Sequence, residues 1–206
     1  MRIGLGIPDW SERRRGALAI GAAAVGTFTA IFGFLAVVAF NTSPGVTGAP
    51  PLHWPHGAGI AASARIPQVL IFVHPLCGCT AASIAELAKL TELQRPNGAD
   101  IAFLVFRPNS GSSWSRHALE EDVRYLPASR LLWDDGGAEA KRFGVRTSGT
   151  VLLYNAAGDL LFYGGVTGAR GHEGGNYGID TLAQLLRNPP PARTVPARAK
   201  IFGCAL

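Results

Sequence analysis

Val69-Leu70-Ile71-Phe72-Val73-His74-Pro75-Leu76-Cys77-Gly78-Cys79-Thr80 is the stretch whose reading decides the fold. Its first five residues form a continuous apolar, β-branched run of the kind a buried strand needs. Downstream, Ile84, Leu87, Leu90 and Leu93 recur at helical spacing between Ala81 and Leu93. The two cysteines therefore lie where a strand turns into a helix. Unpaired N–H groups and the macrodipole at a helix start favour an anion, so a thiolate there is stabilised and its pKa falls below that of a free cysteine. Two thiols one residue apart at such a turn mark either a redox site or a thiolate-metal site.

Working outward, the pattern predicts a strand over Gln68 to Val73, a helix over Thr80 to Leu93 and a strand over Asp100 to Arg107. A helix over Ser113 to Tyr125, a short strand over Arg130 to Trp133 and a short helix over Ala138 to Phe143 come next. Strands over Thr150 to Tyr154 and Asp159 to Tyr163 and a helix over Ile179 to Arg187 complete the body. Alternating strands and helices imply a parallel core. Asn155-Ala156-Ala157-Gly158 supplies turn chemistry between the last two strands and makes them an antiparallel hairpin.

The 206 residues are 48% hydrophobic and 16% charged, enough for one ordinary domain with appendages. From Ala17 to Phe40 there is no charged residue, a span of 24 positions, where about 20 helical residues cross a hydrocarbon core. A cleaved signal peptide has a shorter apolar region and a small-residue cleavage pattern, so an uncleaved anchor is the expectation. Arg13, Arg14 and Arg15 precede the span, whereas residues 41–64 carry no charge. The positive-inside rule then places residues 1–16 in the cytoplasm, 17–40 in the inner membrane as a single pass, and the rest in the periplasm. Residues 41–65, rich in Pro, Gly, Ala and Thr, read as a tether interrupted by His53, Trp54 and His56. Residues 66–187 form the folded body, and 188–206 a basic, proline-containing tail.

The net charge of +5 sits at the ends: +2 in residues 1–16, +3 in residues 188–206, and zero between them. A neutral body lacks the clustered positive face of a nucleic-acid reader, so no nucleic-acid partner is expected. Three cysteines, two of them nearly adjacent, argue against a structural disulfide framework. No Walker loop, Rossmann fingerprint or Ser-His-Asp arrangement can be assembled.

Three stretches make the chain resemble thioredoxin-fold proteins, over about residues 66–187. They are Val69 to Leu93, Trp133-Asp134-Asp135 through Phe143-Gly144-Val145-Arg146, and Gly149-Thr150-Val151-Leu152-Leu153-Tyr154 with Gly158-Asp159. With the N-terminal span, the likeness is to the membrane-anchored TlpA-like branch. The His-Pro-x-Cys-x-Cys-Thr motif, the glycine-rich Gly164 to Glu173 segment and Phe202-Gly203-Cys204 also look like RedB-type proteins. The resemblance implies an α/β, thioredoxin-like fold, a central mixed sheet flanked by helices, following one transmembrane helix. It implies protein thiols and disulfides as partners, the membrane as a second partner through the N-terminal helix, and no cofactor. It places Gly149 where the family carries a cis-proline, so Ser148, Gly149 and Thr150 become the expected substrate-docking residues.

Thioredoxins use Cys-x-x-Cys, and here one spacer is missing. A Cys77–Cys79 disulfide closes a small ring, whose strain makes the bond more easily reduced. Cys77, first in the turn, is the expected nucleophile and the less covered thiol; Cys79 is the expected resolving thiol. His74 either raises thiolate content as a cation or caps the strand. In this fold the loop Gly164 to Gly175 lies beside the active-site turn, so Arg170 is expected to stabilise a thiolate and His172 to shuttle a proton. The leading functional expectation is a membrane-tethered thiol-disulfide oxidoreductase. The alternative is a protein that binds or delivers a soft ion such as Cu(I) on the same thiols, although no metal site is assigned. A thiol peroxidase is weaker, because the Thr expected three residues before a peroxidatic cysteine is missing. For Cys204, two outcomes stand open: a loose tail whose thiol stays free or pairs with another chain, and a tail that docks near Cys77 through Phe202.

Overall fold

In the computed structural model, residues 10–93, 98–108, 129–191 and 194–206 are described. The helix expected over Ser113 to Tyr125 lies outside them. Two compact units emerge, Met1–Asn41 and Thr42–Leu206. The first carries helix α1 (Trp10–Thr42), of which Arg13–Thr42 is long and apolar enough to cross a membrane. Its large apolar side chains, among them Phe28, Phe32, Phe34 and Leu35, are exposed all round.

In the second unit, the uninterrupted apolar run becomes β1 (Gln68–Val73), buried at every position. Both faces of this strand are covered, which is why it shows no polar alternation. After β1 come α2 (Cys79–Leu93), β2 (Asp100–Arg107), β3 (Ser129–Asp135) and α3 (Ala138–Arg142). The order closes with β4 (Thr150–Tyr154), β5 (Leu160–Gly164), α4 (Tyr177–Arg187) and β6 (Ala197–Arg198). The six strands form one sheet in the order β3-β2-β1-β4-β5-β6. β1 runs parallel to β2 and antiparallel to β4, and β4 runs antiparallel to β5. The four central strands β2-β1-β4-β5, with β4 alone reversed, are the thioredoxin-like arrangement, and the fold is thioredoxin-like.

The period-2 alternation along the strands builds two cores. Val69, Ile71 and Val73 pack with Phe103, Val151 and Leu153 under Ile84 and Leu87 of α2 and Leu182 of α4. Leu70, Phe72, Leu104, Leu152 and Tyr154 face the other way, against Phe143 and Ile60. Asp134, itself buried, accepts the N–H groups of Glu139 and Ala140 at 2.7 and 2.9 Å and so fixes the start of α3.

The reading of residues 41–65 as a tether meets a different arrangement. Gly45 and Ala49 donate backbone hydrogen bonds to Ile201 and Gly144, Trp54 donates to Gly158, and Leu52 accepts from Leu160. Tyr154 Oη donates to the Pro51 carbonyl at 2.9 Å, and His53 pairs with Asp159 at 2.8 Å. Trp54 stands edge-on to Phe143 and Tyr154, with ring centroids 5.2 and 5.1 Å away. The segment is irregular yet seated, because its backbone groups are satisfied by the body rather than by each other. Phe143, fully buried among Trp54, Phe72 and Tyr154, is the keystone of this contact. Phe143→Ala should cost about 3–5 kcal/mol, read as a lower urea midpoint for residues 42–206; a loss under about 1 kcal/mol would show that the cluster bears little weight.

The tail likewise joins the body. β6 pairs with β5 in parallel register, Ala199 donates to Tyr163 and Gly165 to Lys200, and Ile201, Phe202 and Gly203 are buried. Phe202 and Ile201 supply the apolar anchor that the basic composition of the tail masks.

Candidate functional site

The chain leaves the carboxyl end of β1 beside the point where the sheet order switches from β2 on one side to β4 on the other. Loops meet there, the usual place for a site in an open α/β sheet. The turn is fixed by local bonds. Cys77 N–H donates to the His74 carbonyl at 3.0 Å and Thr80 N–H to the Cys77 carbonyl at 2.9 Å. The Thr80 hydroxyl also donates to His74 O, at 3.1 Å.

The Cys77 sulfur is surrounded by hydrogen-bond donors. Burial opposes its ionisation and is the largest single influence. The Cys204 thiol, the backbone N–H groups of Cys79 and Cys204, and the Ser148 hydroxyl together outweigh it and hold Cys77 below its ordinary value. Cys79 is pushed up, first by burial, then by the adjacent Cys77 charge and by donating to it; a Gly171 N–H and the Arg170 charge only partly offset this. Cys204 is pushed up to about 11, chiefly because its thiol donates to Cys77. Of the three thiols, Cys77 is therefore the one that ionises first. All three are free cysteines.

Cys77 is not the less covered of the first two thiols: it is 4% exposed against 7% for Cys79. The C-terminal segment provides the cover. Ser148 N–H donates to the Cys204 carbonyl at 2.8 Å and Leu206 N–H to the Arg146 carbonyl at 3.1 Å, with Thr147 and Ala205 bridged in antiparallel fashion between them.

The expected docking residues are accordingly engaged inside the chain. Ser148 gives its N–H to Cys204, and its Oγ accepts from His74 N–H at 2.8 Å. Gly149 donates to Phe72 O, and Thr150 bonds back to Thr147 through both N–H and hydroxyl. Gly149 holds φ at 85°, a left-handed backbone that glycine adopts without penalty.

Arg170 reaches the thiols: its Nη1 donates to the Gly203 carbonyl at 2.6 Å, and its charge favours ionisation of Cys79 and Cys204. His172 does not: it is exposed, with its Nδ1 3.3 Å from the Arg170 carbonyl. His74 has its pKa lowered by burial, stacks on Phe106 at 5.4 Å, and accepts the Leu76 N–H on Nδ1 at 3.2 Å. An acceptor nitrogen carries no proton, which favours the strand-capping role over the cationic one.

One contributor escaped the sequence reading. Glu86, 3% exposed, accepts the Gly174 N–H at 2.6 Å and binds Lys89 at 2.7 Å, tying the Arg170 loop to α2. Lys89 extends the link to Glu173 at 3.5 Å. Its only trace in the sequence is an acid four residues before Leu90 on the apolar side of the helix.

Among the described residues no group of three or more His, Cys, Asp or Glu side chains is placed to hold a metal ion.

No protein-family model and no curated protein matches this chain. Solved structures do. A hypothetical protein from Sinorhizobium meliloti 1021 aligns with a TM-score of 0.54 at 18% identity, over 80% of this chain and 96% of its own. An uncharacterized conserved protein from Geobacillus kaustophilus aligns at 0.53 and 14% identity, over 74% and 94%. A secreted Mycobacterium tuberculosis disulfide oxidoreductase homologous to E. coli DsbE aligns at 0.43 and 17% identity, over 61% and 82%, too distant to argue from. At these identities the likeness concerns the fold alone, and the order and directions of the strands make the fold of this chain thioredoxin-like.

Proposed function

We propose that the protein is a thiol-disulfide oxidoreductase that acts on protein thiols and disulfides outside the cytoplasmic membrane, held there by α1. The observation that carries this is the Cys77 sulfur, buried yet surrounded by donors that favour its ionised form. A structural cysteine has no need of such an arrangement, and the thiolate is the nucleophile of disulfide exchange.

The Cys77 thiolate attacks one sulfur of a substrate disulfide. The substrate S–S bond breaks, its electron pair leaves on the second substrate sulfur, which takes a proton, and a mixed disulfide forms. A second thiol of the protein then attacks Cys77 Sγ, releases the first substrate sulfur as a thiolate and closes an internal disulfide. The substrate gains two electrons and one proton, ending as a thiol and a thiolate; the protein loses the two electrons and the proton of its second thiol, and no cofactor takes part. Arg170 supports this by favouring anionic sulfur at the two neighbouring thiols. His172 would shuttle protons only after the loop turns it inward. In the reverse direction the same steps oxidise a substrate dithiol.

Membrane tethering draws on the length and apolarity of α1, and the periplasmic side on the arginines before it and the uncharged stretch after it. Soft-ion delivery by the same thiols is the competing reading.

One sample decides between the two. Protein purified without oxygen is analysed for copper, for thiols lost on mild oxidation, and for its reduction potential. Exchange predicts two thiols lost without metal and a potential above thioredoxin's, which is about −270 mV, because a stabilised thiolate favours the reduced form. Stoichiometric copper, or a potential below thioredoxin's, would overturn it.

A further inference from the structure

From the position of the C-terminal segment we infer that Cys204 is the built-in disulfide partner of Cys77, delivered to it as an added strand along residues 146–148. This rests on the exchange chemistry proposed above and names the second thiol of that cycle.

The placement is built from several independent contacts. β6 fixes the tail to β5, and Ile201 and Phe202 are buried, 2% and 7% exposed. Gly203 lies so close to the 146–148 edge that a Cβ there would stand 1.9 Å from the Ser148 carbonyl. Arg170 holds the Gly203 carbonyl. Beyond that point the bonds from Ser148 to Cys204 and from Leu206 to Arg146 bracket the cysteine on both sides. Ser148, whose N–H binds the Cys204 carbonyl, accepts from His74 N–H at the start of the cysteine turn, and the Cys204 thiol and N–H both favour ionisation of Cys77.

Cys79 is worse placed for the same task. It begins α2, one residue from Cys77, and a bond between them would close a small ring on a backbone already committed to the helix. Cys204 comes from a separate segment and has no such constraint. It is also exposed while Cys77 is buried, so an outside thiol meets Cys204 first. Attack on Cys204 Sγ expels Cys77, and the sulfur whose anion is best stabilised is the better leaving group.

With glutathione disulfide as oxidant, the Cys77 thiolate attacks one glutathione sulfur and expels the other as thiolate. Deprotonated Cys204 then attacks Cys77 Sγ and expels the second glutathione. One disulfide is reduced to two thiols, and Cys77 and Cys204 are oxidised to one. Cys79 remains a thiol.

The test uses the full chain in detergent, treated with glutathione disulfide, quenched in acid, alkylated and digested with trypsin. Cleavage after Arg65, Lys89 and Lys200 separates residues 66–89, with Cys77 and Cys79, from residues 201–206, with Cys204. The expected result is a disulfide between these two peptides in the wild type and the same link in Cys79→Ser. In Cys204→Ser and Cys204→Ala it is absent. A wild type in which residues 201–206 stay unlinked and alkylated overturns the assignment, even where the link forms in Cys79→Ser. Glutathione on Cys77 in the same digest reports the underlying chemistry separately. Its presence with residues 201–206 unlinked overturns the Cys204 assignment alone, whereas a Cys77 that takes neither partner overturns both readings.

Discussion

Cys77→Ser should abolish mixed-disulfide formation with a model protein disulfide, leaving only the slow background of free thiols. The loss is expected to be complete because neither neighbour can substitute. Burial opposes ionisation of both Cys79 and Cys204 and still does so in this variant, where the Cys77 charge that adds to it is gone. A hydroxyl at position 77 also removes the charge that the surrounding donors serve. The complementary variant, Cys79→Ser with Cys204→Ser, keeps the attacker and removes both thiols able to resolve it, so the adduct on Cys77 should accumulate to near stoichiometry. Non-reducing gel shift and mass of the intact adduct measure both. An adduct formed through Cys79 or Cys204 in the Cys77→Ser protein would show that the nucleophile has been misassigned.

Gly203→Ala should open the site. A Cβ at this position meets the Ser148 carbonyl, so the strand carrying Cys204 has to part from residues 146–148 and uncover Cys77. Alkylation of Cys77 by iodoacetamide, followed against pH, separates access from ionisation. Access sets the plateau rate at high pH, which should rise by more than about tenfold, as expected when a local opening costing over about 1.4 kcal/mol is removed. Ionisation sets the midpoint. Uncovering relieves the burial that opposes the Cys77 thiolate but also removes the two Cys204 donors, so the losses oppose each other. The Cys79 N–H and the Ser148 hydroxyl remain, and the midpoint should stay below that of an ordinary cysteine. An unchanged plateau would mean that the tail does not control access.

The fold was legible because its decisive signals are local. The unbroken apolar run of β1, the helical spacing after Cys79 and the turn at Asn155 to Gly158 each depend on neighbours in sequence, and β4 occupies the residues expected of it. Ends were less clear: β3 runs to Asp135, beyond Trp133, because Arg107 and Asp135 pair across the β2–β3 edge. The turn from β1 to α2 that carries Cys77 and Cys79 was legible in the same local way. What stayed hidden was irregular chain seated by distant partners. Residues 42–60 show no period because their hydrogen bonds go to Gly144, Gly158 and Ile201. The tail looks loose because Val195, Ile201, Phe202 and Leu206 are scattered among small, basic and proline residues. The coverage of Cys77 follows from that tail, which is why position in the turn alone misjudged its exposure.

Glu86 has a wider consequence. Its carboxylate, inside the protein, grips the amide of an exposed glycine in the loop that carries Arg170. Arg170 in turn grips the backbone next to Cys204. Helix, loop and tail thus form a linkage in series, with Cys79 at one end and Cys204 at the other. Slack at any joint would reach both sulfurs, so the fidelity of the three-thiol cluster depends on a carboxylate that touches none of them.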